Sequence, residues 1–313
     1  MELTAFLLVL SGAAVHALWN SLLKRSQSRL AFSVGFIAFQ CVVLLPWFAV
    51  AVWQSGLEPH QWVWVAASVP LHFGYFLVLL RGYSSGDFSL VYPIARGLAP
   101  LLVTLWGMLF AGERPSPLGW AGILAVVSGV LALGSSAGGD TGGRFGDRGP
   151  RPGGPPQSGG GRSARRHAGR LEWHNPAVGC AALAALLISG YTLVDGLAAR
   201  AIGPVVYFYL ETAGTLTLLA LTAALQGRWA EVRADVGSNW RLYLPVGFMG
   251  GLAYILILFA MEQAPLGYVA AARESSILFG LVLSRFFLKE RVTSLRVASG
   301  AAVVVGLVLL RLS

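Results

Sequence analysis

The chain is short of charge. Only 12% of its 313 residues are Asp, Glu, Lys or Arg, about half the ~25% of a soluble globular domain, so it cannot clothe an ordinary water-facing surface. Acidic residues are scarcest, 14 against 23 Lys and Arg. With two cysteines, Cys41 and Cys180, there is no disulfide framework and no cysteine-based metal pattern; both fall inside apolar runs and read as fillers. No G-x-x-x-x-G-K-[ST] loop occurs, which excludes an ATP engine of that type within the chain. No spacing of His, Cys and acids makes a metal site, and no cofactor is expected.

What is present is hydrocarbon: 56% of the residues are hydrophobic and the mean hydropathy is +0.67. Apolar runs lie near 3–23, 32–53, 62–80, 88–110, 117–134, 176–197, 204–226, 241–261, 266–288 and 293–311. Each is long enough to cross ~30 Å of hydrocarbon as a helix, and a helix satisfies its backbone polar groups within one segment, as lipid demands. The expected fold is an all-α polytopic membrane protein of ten transmembrane helices. The first run opens on Glu2 rather than Lys or Arg and has no small-residue cleavage site behind it, so it reads as a span and not a signal peptide.

The net charge of +9 reflects topology rather than a nucleic-acid partner, because the basic residues lie in short connections and one linker. If the ten spans hold, one side carries Lys24, Arg25, Arg29, Arg81, the linker arginines, Arg228, Arg233, Arg241, Lys289, Arg291 and Arg296, and the other carries Arg114, Arg200 and Arg311. The positive-inside rule makes the first side cytoplasmic and puts both termini outside.

Residues 135–172 are rich in Gly, Pro, Ser and Arg and almost free of large apolar side chains; they read as a disordered linker between residues 1–134 and 173–313. Across it the chain repeats itself. Residues 92–133 align without a gap on 269–310, pairing Arg96 with Arg273, Glu113-Arg114 with Glu290-Arg291, and Gly129 with Gly306. Generic hydrophobicity does not produce shared charged positions at identical spacing. Five spans per half is an odd number, so the halves are inverted copies, an architecture whose solute site lies between the repeats near the midplane.

Each unit ends in a Gly-Glu-Arg or Lys-Glu-Arg turn before a glycine-containing last helix, "LFAGERPSPLGWAGILAVVSGV" and "FFLKERVTSLRVASGAAVVVGL". In this the chain resembles the EamA branch of the drug/metabolite transporter superfamily over both halves, and "HALWNSLLKRS" (16–26) and "YTLVDGLAAR" (191–200) resemble first-helix segments of such proteins. The resemblance implies a ten-helix transporter of small metabolites, often an exporter, in the inner (plasma) membrane of a bacterium. It also implies cytoplasmic termini, opposite to the charge count.

An ionised side chain near the bilayer centre costs roughly 2.5 to 3.5 kcal/mol. Arg96 and Arg273, at equivalent positions inside spans four and nine, are the first candidates to hold an anionic or zwitterionic solute, since guanidinium offers a planar fork of donors to a carboxylate or phosphate. The structural alternative is that Arg273 pairs with Glu274 or Asp195 while Arg96 caps backbone loosened around Pro93 and Pro100. Neighbours on a helix point about 100° apart, so Arg273 and Glu274 cannot both face one cleft squarely.

Asp195 follows Tyr191 by four residues and Glu211 follows Tyr207 by four, so each acid shares a helix face with a phenol. In a cavity these acids bind a solute amine or titrate as a proton-coupling site; alternatively Glu211 only partners an arginine. His16 and Asn20 lie on one stripe with Trp19 beside it, and His72 and Tyr75 form a similar pair; the plain reading is a polar packing face, while His16 and Trp19 are the better candidates to line a cavity. Lys24, at the end of the first stripe, is read as interfacial. Tyr254 and Tyr268 are packing or belt aromatics or solute contacts, and the two Glu-Arg turns need nothing beyond headgroup pairing and turn formation.

The expected function is transport of a small polar, amino-acid-like or zwitterionic metabolite by alternating access, with the bilayer and the solute as partners and proton coupling open; the sequence carries no signal for an oligomeric state. Flipping of a lipid headgroup or lipid-linked metabolite is the nearest alternative. A membrane enzyme would need an organised catalytic cluster near the headgroups, and a sensor would need an effector domain.

Overall fold

A computed structural model describes residues 1–22, 29–84, 88–140, 176–287 and 293–313. The described chain is helical throughout, with α1 at Leu3–Leu22, α2 at Arg29–Ser55, α3 at Trp62–Ser84, α4 at Phe88–Phe110, α5 at Pro117–Asp140, α6 at Pro176–Ile202, α7 at Pro204–Leu225, α8 at Trp229–Gln263, α9 at Leu266–Arg273, α10 at Ser276–Phe287 and α11 at Ser294–Leu312. Proline opens α5, α6 and α7, the position where its missing N–H costs nothing. Thr293 caps α11, its hydroxyl accepting from the Arg296 N–H at 3.4 Å. The segment "KER" at 289–291, with Glu290 and Arg291, lies outside the described residues, as does Lys24.

Among the described residues seven spans are long and apolar enough to cross a membrane, six of them single helices and one made of α9 and α10 together, and α4 and α5 contribute shorter apolar stretches. The packing is the inside-out kind that lipid favours. On α1 the small residues Ala5, Val9, Ala13 and Ala17 are buried at a spacing of four, while Leu3, Leu7 and Leu18 face outward. Lipid tails are as apolar as leucine, so helices associate through close approach of small residues rather than by hiding large ones.

The interfaces obey the exchange expected of inverted repeats. Helix α5 packs on α11 and α2 on α7, each with its own counterpart. The other contacts come in pairs: α4 on α6 with α10 on α1, α1 on α8 with α6 on α3, and α2 on α8 with α7 on α3. One seam shows the relation at atomic scale. A Cβ on Gly306 would lie 2.7 Å from the Gly122 carbonyl, and a Cβ on Gly129 would lie 2.7 Å from the Ser299 carbonyl. In the repeat alignment Gly122 matches Ser299 and Gly129 matches Gly306, so these two contacts are copies of one another. Gly247 and Gly251 likewise bring α8 close to α2, against Gln40 and Leu44.

Three departures from the sequence reading matter. Span nine is two helices. At Glu274 and Ser275 the N–H groups bond to Ala271 and Ala272, three residues back, at 3.1 and 3.0 Å; such tightening inside a helix marks a hinge or local strain. Helix α8 begins at Trp229, not near 241, because Val232 packs with Leu30, Val34 and Leu219 and extends the helix past the apolar run. Helix α5 continues to Asp140, past the start of the glycine-rich stretch at 135.

Both termini sit at one end of the bundle, where the Arg311 guanidinium donates to the Met1 carbonyl at 2.9 Å. Beneath them the largest apolar cluster fills the space between the repeats, with Val9, Val103, Met261 and Leu266 wholly buried. The turn after α4 locks this end. Gly112, at φ 65°, supplies the left-handed backbone that ends the helix and turns Glu113 inward. Both Glu113 oxygens accept the Leu266 N–H, at 2.8 and 3.0 Å, and so cap α9. Arg200 holds the other side of the same bend, donating to the carbonyls of Met261 (2.9 Å) and Ala264 (3.2 Å) and meeting Glu113 at 3.5 Å. The Ser116 N–H donates to the Tyr268 phenol at 3.0 Å. Turn formation and headgroup pairing therefore do not account for Glu113, as the sequence had suggested: it joins the first repeat to the second.

Candidate functional site

Between the repeats, on the side away from the termini, lies a cavity of about 540 Å³. Its walls come from α1 to α4 and α6 to α9, and none from the α5 and α11 pair. The lining runs from mid-bundle positions such as Glu211 on α7 and Tyr254 on α8 to exposed Asn20 and Arg29 at the basic end. The hollow therefore opens toward the basic end, while the apolar cluster and the Glu113 cap close the other.

Of the residues singled out in the sequence, Arg96, Arg273, Glu274, Glu211, His16, Trp19, Asn20, His72, Tyr75 and Tyr191 border the cavity. Asp195 and Tyr207 do not; they lie behind its wall with no exposed surface. The helix face shared by Tyr207 and Glu211 thus points only Glu211 at the hollow.

The two arginines differ. Arg96 reaches across from α4 to Glu274 of the other repeat, with Nη2 at 3.0 Å and Nε at 3.3 Å from the same oxygen, and approaches the Ser276 hydroxyl at 3.5 Å. This replaces the pairing of Arg273 with Glu274 considered from the sequence. The tightened turn explains the exchange: it swings Glu274 off the Arg273 face and toward α4. Among the described residues no carboxylate lies within salt-bridge distance of Arg273, and its buried Nε has no hydrogen-bond partner. Arg273 faces the phenols of Tyr191 and Tyr254. Buried and likewise unpartnered are the second Glu274 oxygen and the Trp19 indole N–H. A buried polar atom without a partner costs about 1 to 3 kcal/mol, so these atoms are where a polar guest or water gains most.

On the opposite wall, His72 sits between two acids, with Nε2 3.5 Å from Asp195 and Nδ1 3.3 Å from Glu211. Asp195 also accepts from Ser68 at 2.8 Å and from the phenols of Tyr207 and Tyr254. Glu211 accepts from Thr215 at 2.7 Å and Thr212 at 3.3 Å. Ser68, Tyr254 and the threonines were not among the sequence candidates as acid partners. Ser68 precedes His72 by four residues on α3, a signal available in hindsight; the others meet the acids only through the fold.

Aromatic rings complete the walls. Trp19 stacks on Phe36 at 5.0 Å and meets His16 edge-on at 5.1 Å, and Phe36 stacks on Phe32. Across the hollow, His72 stacks on Tyr191 at 4.1 Å, with Tyr75 against the same phenol. The site thus combines a guanidinium with no carboxylate partner among the described residues, a carboxylate surface and flat apolar faces.

Comparison with known proteins bears on this arrangement. The model of the EamA-like transporter family matches residues 3–135 and 175–312. A Sinorhizobium protein described as an uncharacterized transporter in the cobO 3' region is 27% identical over 108 residues, which cover 34% of this chain and 76% of that protein. A crystal structure described only as that of a protein superposes with a TM-score of 0.72 at 20% identity, covering 100% of this chain and 98% of the other; at that identity the likeness speaks for the fold alone.

Proposed function

Because the chain belongs to the EamA-like transporter family, within the drug/metabolite transporter superfamily, we propose that its cargo is a small zwitterionic, amino-acid-like metabolite, exported by alternating access. Membrane transport by an integral multi-pass protein follows from the family itself, and the family points away from an enzyme. The observation that carries the finer reading is the distribution of charge: Arg273 without a carboxylate on one wall, Glu211 on another. A solute carboxylate on Arg273 and a solute ammonium at Glu211 would each replace lost hydration by a charge-assisted bond. A guest of no net charge adds nothing to the charge held in the low-dielectric interior, which favours a zwitterion over a plain anion or cation.

The bend between α9 and α10 supports the moving part of the reading. Discontinuous helices at the midplane are a common feature of transporters that rock one repeat against the other. Opening the closed end requires α9 to leave Glu113, while the α5 and α11 seam stays packed as a fixed frame. By the positive-inside rule the open, basic end faces the cytoplasm, where an exporter loads, and the bacterial relative makes a bacterial inner membrane the natural setting. Counterflow of radiolabelled amino acids in proteoliposomes tests the proposal. Accumulation of at least one zwitterion, lost in Arg273→Ala, is expected; flux that ignores that substitution would remove Arg273 from the site.

A further inference from the structure

We propose that Asp195, His72 and Glu211 together form a proton-binding site, in which His72 passes one proton between the cavity and the buried Asp195. The proposal deepens the transport reading and rests on it for its physiological use, but its evidence is the geometry of the trio. Each imidazole nitrogen faces a carboxylate oxygen, Nε2 toward Asp195 at 3.5 Å and Nδ1 toward Glu211 at 3.3 Å, with the Ser68 hydroxyl also 3.0 Å from Nδ1. With both acids ionised and the ring neutral, two negative charges share a buried site, and one further proton, on the ring or on an acid, offsets one of them.

The surroundings keep that proton in play. Among the described residues no Lys or Arg reaches either acid within 4.0 Å. The groups facing the trio are the phenols of Tyr191, Tyr207 and Tyr254 and the Ser68 hydroxyl, with the Cys41 thiol of α2 near Glu211 and the arginines Arg96 and Arg273 beyond Tyr191. The donors converge on Asp195. Glu211 has two threonine donors and a face on the cavity. A proton thus enters from cavity water at Glu211, passes to His72 Nδ1, and leaves Nε2 for Asp195; the reverse path returns it to water. Chains of acid and imidazole inside a membrane are a known form of proton relay, and the shared proton belongs to the group rather than to one residue. A solute ammonium docking at Glu211 would expel it, which makes the site an exchanger of protons for amines.

Infrared titration of the full chain in detergent, in sodium-free buffer and without solute, tests the site directly. The expected result is a protonated-carboxyl band that appears on acidification and is lost in Glu211→Gln, whose amide oxygen can still accept from Thr215. Tyr254→Phe removes one donor to Asp195 and should shift the transition; a purely structural role would leave it in place. A band unchanged in both Glu211→Gln and Asp195→Asn would overturn the proposal. So would a transition abolished by added sodium, which would make this a metal-ion site. If the titration appears but no zwitterion moves in proteoliposomes, the cargo reading falls and the proton site stands.

Discussion

Arg96 and Arg273 occupy the same place in two copies of one unit, yet one is satisfied and the other is not. The difference lies in the next residue. Gly97 follows Arg96 and α4 runs on unbroken, whereas Glu274 follows Arg273 and the helix tightens into a bend. Glu274 then neutralises the arginine of the opposite repeat and leaves its own neighbour without a carboxylate. Duplication supplied two equivalent cations. A single departure from symmetry turned one into a strut and left the other without a carboxylate.

Substitutions can break this contrast. Arg96→Ala strands Glu274 in the interior, and stranding one member of a buried pair costs about 3 to 5 kcal/mol; a large fall in thermal stability in detergent is expected. Arg273→Ala removes no ion pair, so the melting temperature should barely move while flux falls roughly 100-fold, equivalent to about 2.7 kcal/mol. Equal behaviour of the two variants in both assays would refute the distinction. Glu274→Gln keeps the shape but weakens the charged hydrogen bond to Arg96, with an expected loss of about 1.5 to 3 kcal/mol in a denaturation series.

Elsewhere the copies should respond alike. Gly306→Ala and Gly129→Ala each press a methyl onto a facing backbone and should cost a similar amount, about 1 to 3 kcal/mol; a marked difference between their melting shifts would mean that the seam is not symmetric. The smallest effect is at the closed end. Losing the cap in Glu113→Gln weakens it by about 1 kcal/mol, so a cysteine placed at Ala264, in a background without Cys41 and Cys180, should react with a polar maleimide roughly fivefold faster.

The spans, the duplication and the pairing of Arg96 with Arg273 were all legible in the sequence, because lipid imposes run lengths and the charged positions recur at one spacing. The bend at Glu274 was not, since Ser275 and Ser276 are only modestly poorer helix formers than the alanines before them and the partner of Glu274 lies 178 positions away in the chain. Glu113 was misread for the same reason, its backbone target lying 153 positions off. Asp195 was found as an acid on the right helix, but its place behind the wall depends on Ser68, Tyr207 and Tyr254 closing over it. Local patterns disclose what one helix offers to lipid and to water, not which polar atoms of distant helices meet.

Helix α8 spans 35 residues, about 50 Å at 1.5 Å per residue, and outreaches a ~30 Å hydrocarbon layer by about two-thirds again. Its first turns therefore project into water while Tyr254, farther along the same rod, touches Asp195 beside the hollow. A dye attached near Trp229 would ride on a handle joined to the interior, and its colour or mobility could report, from the aqueous side, when a guest enters.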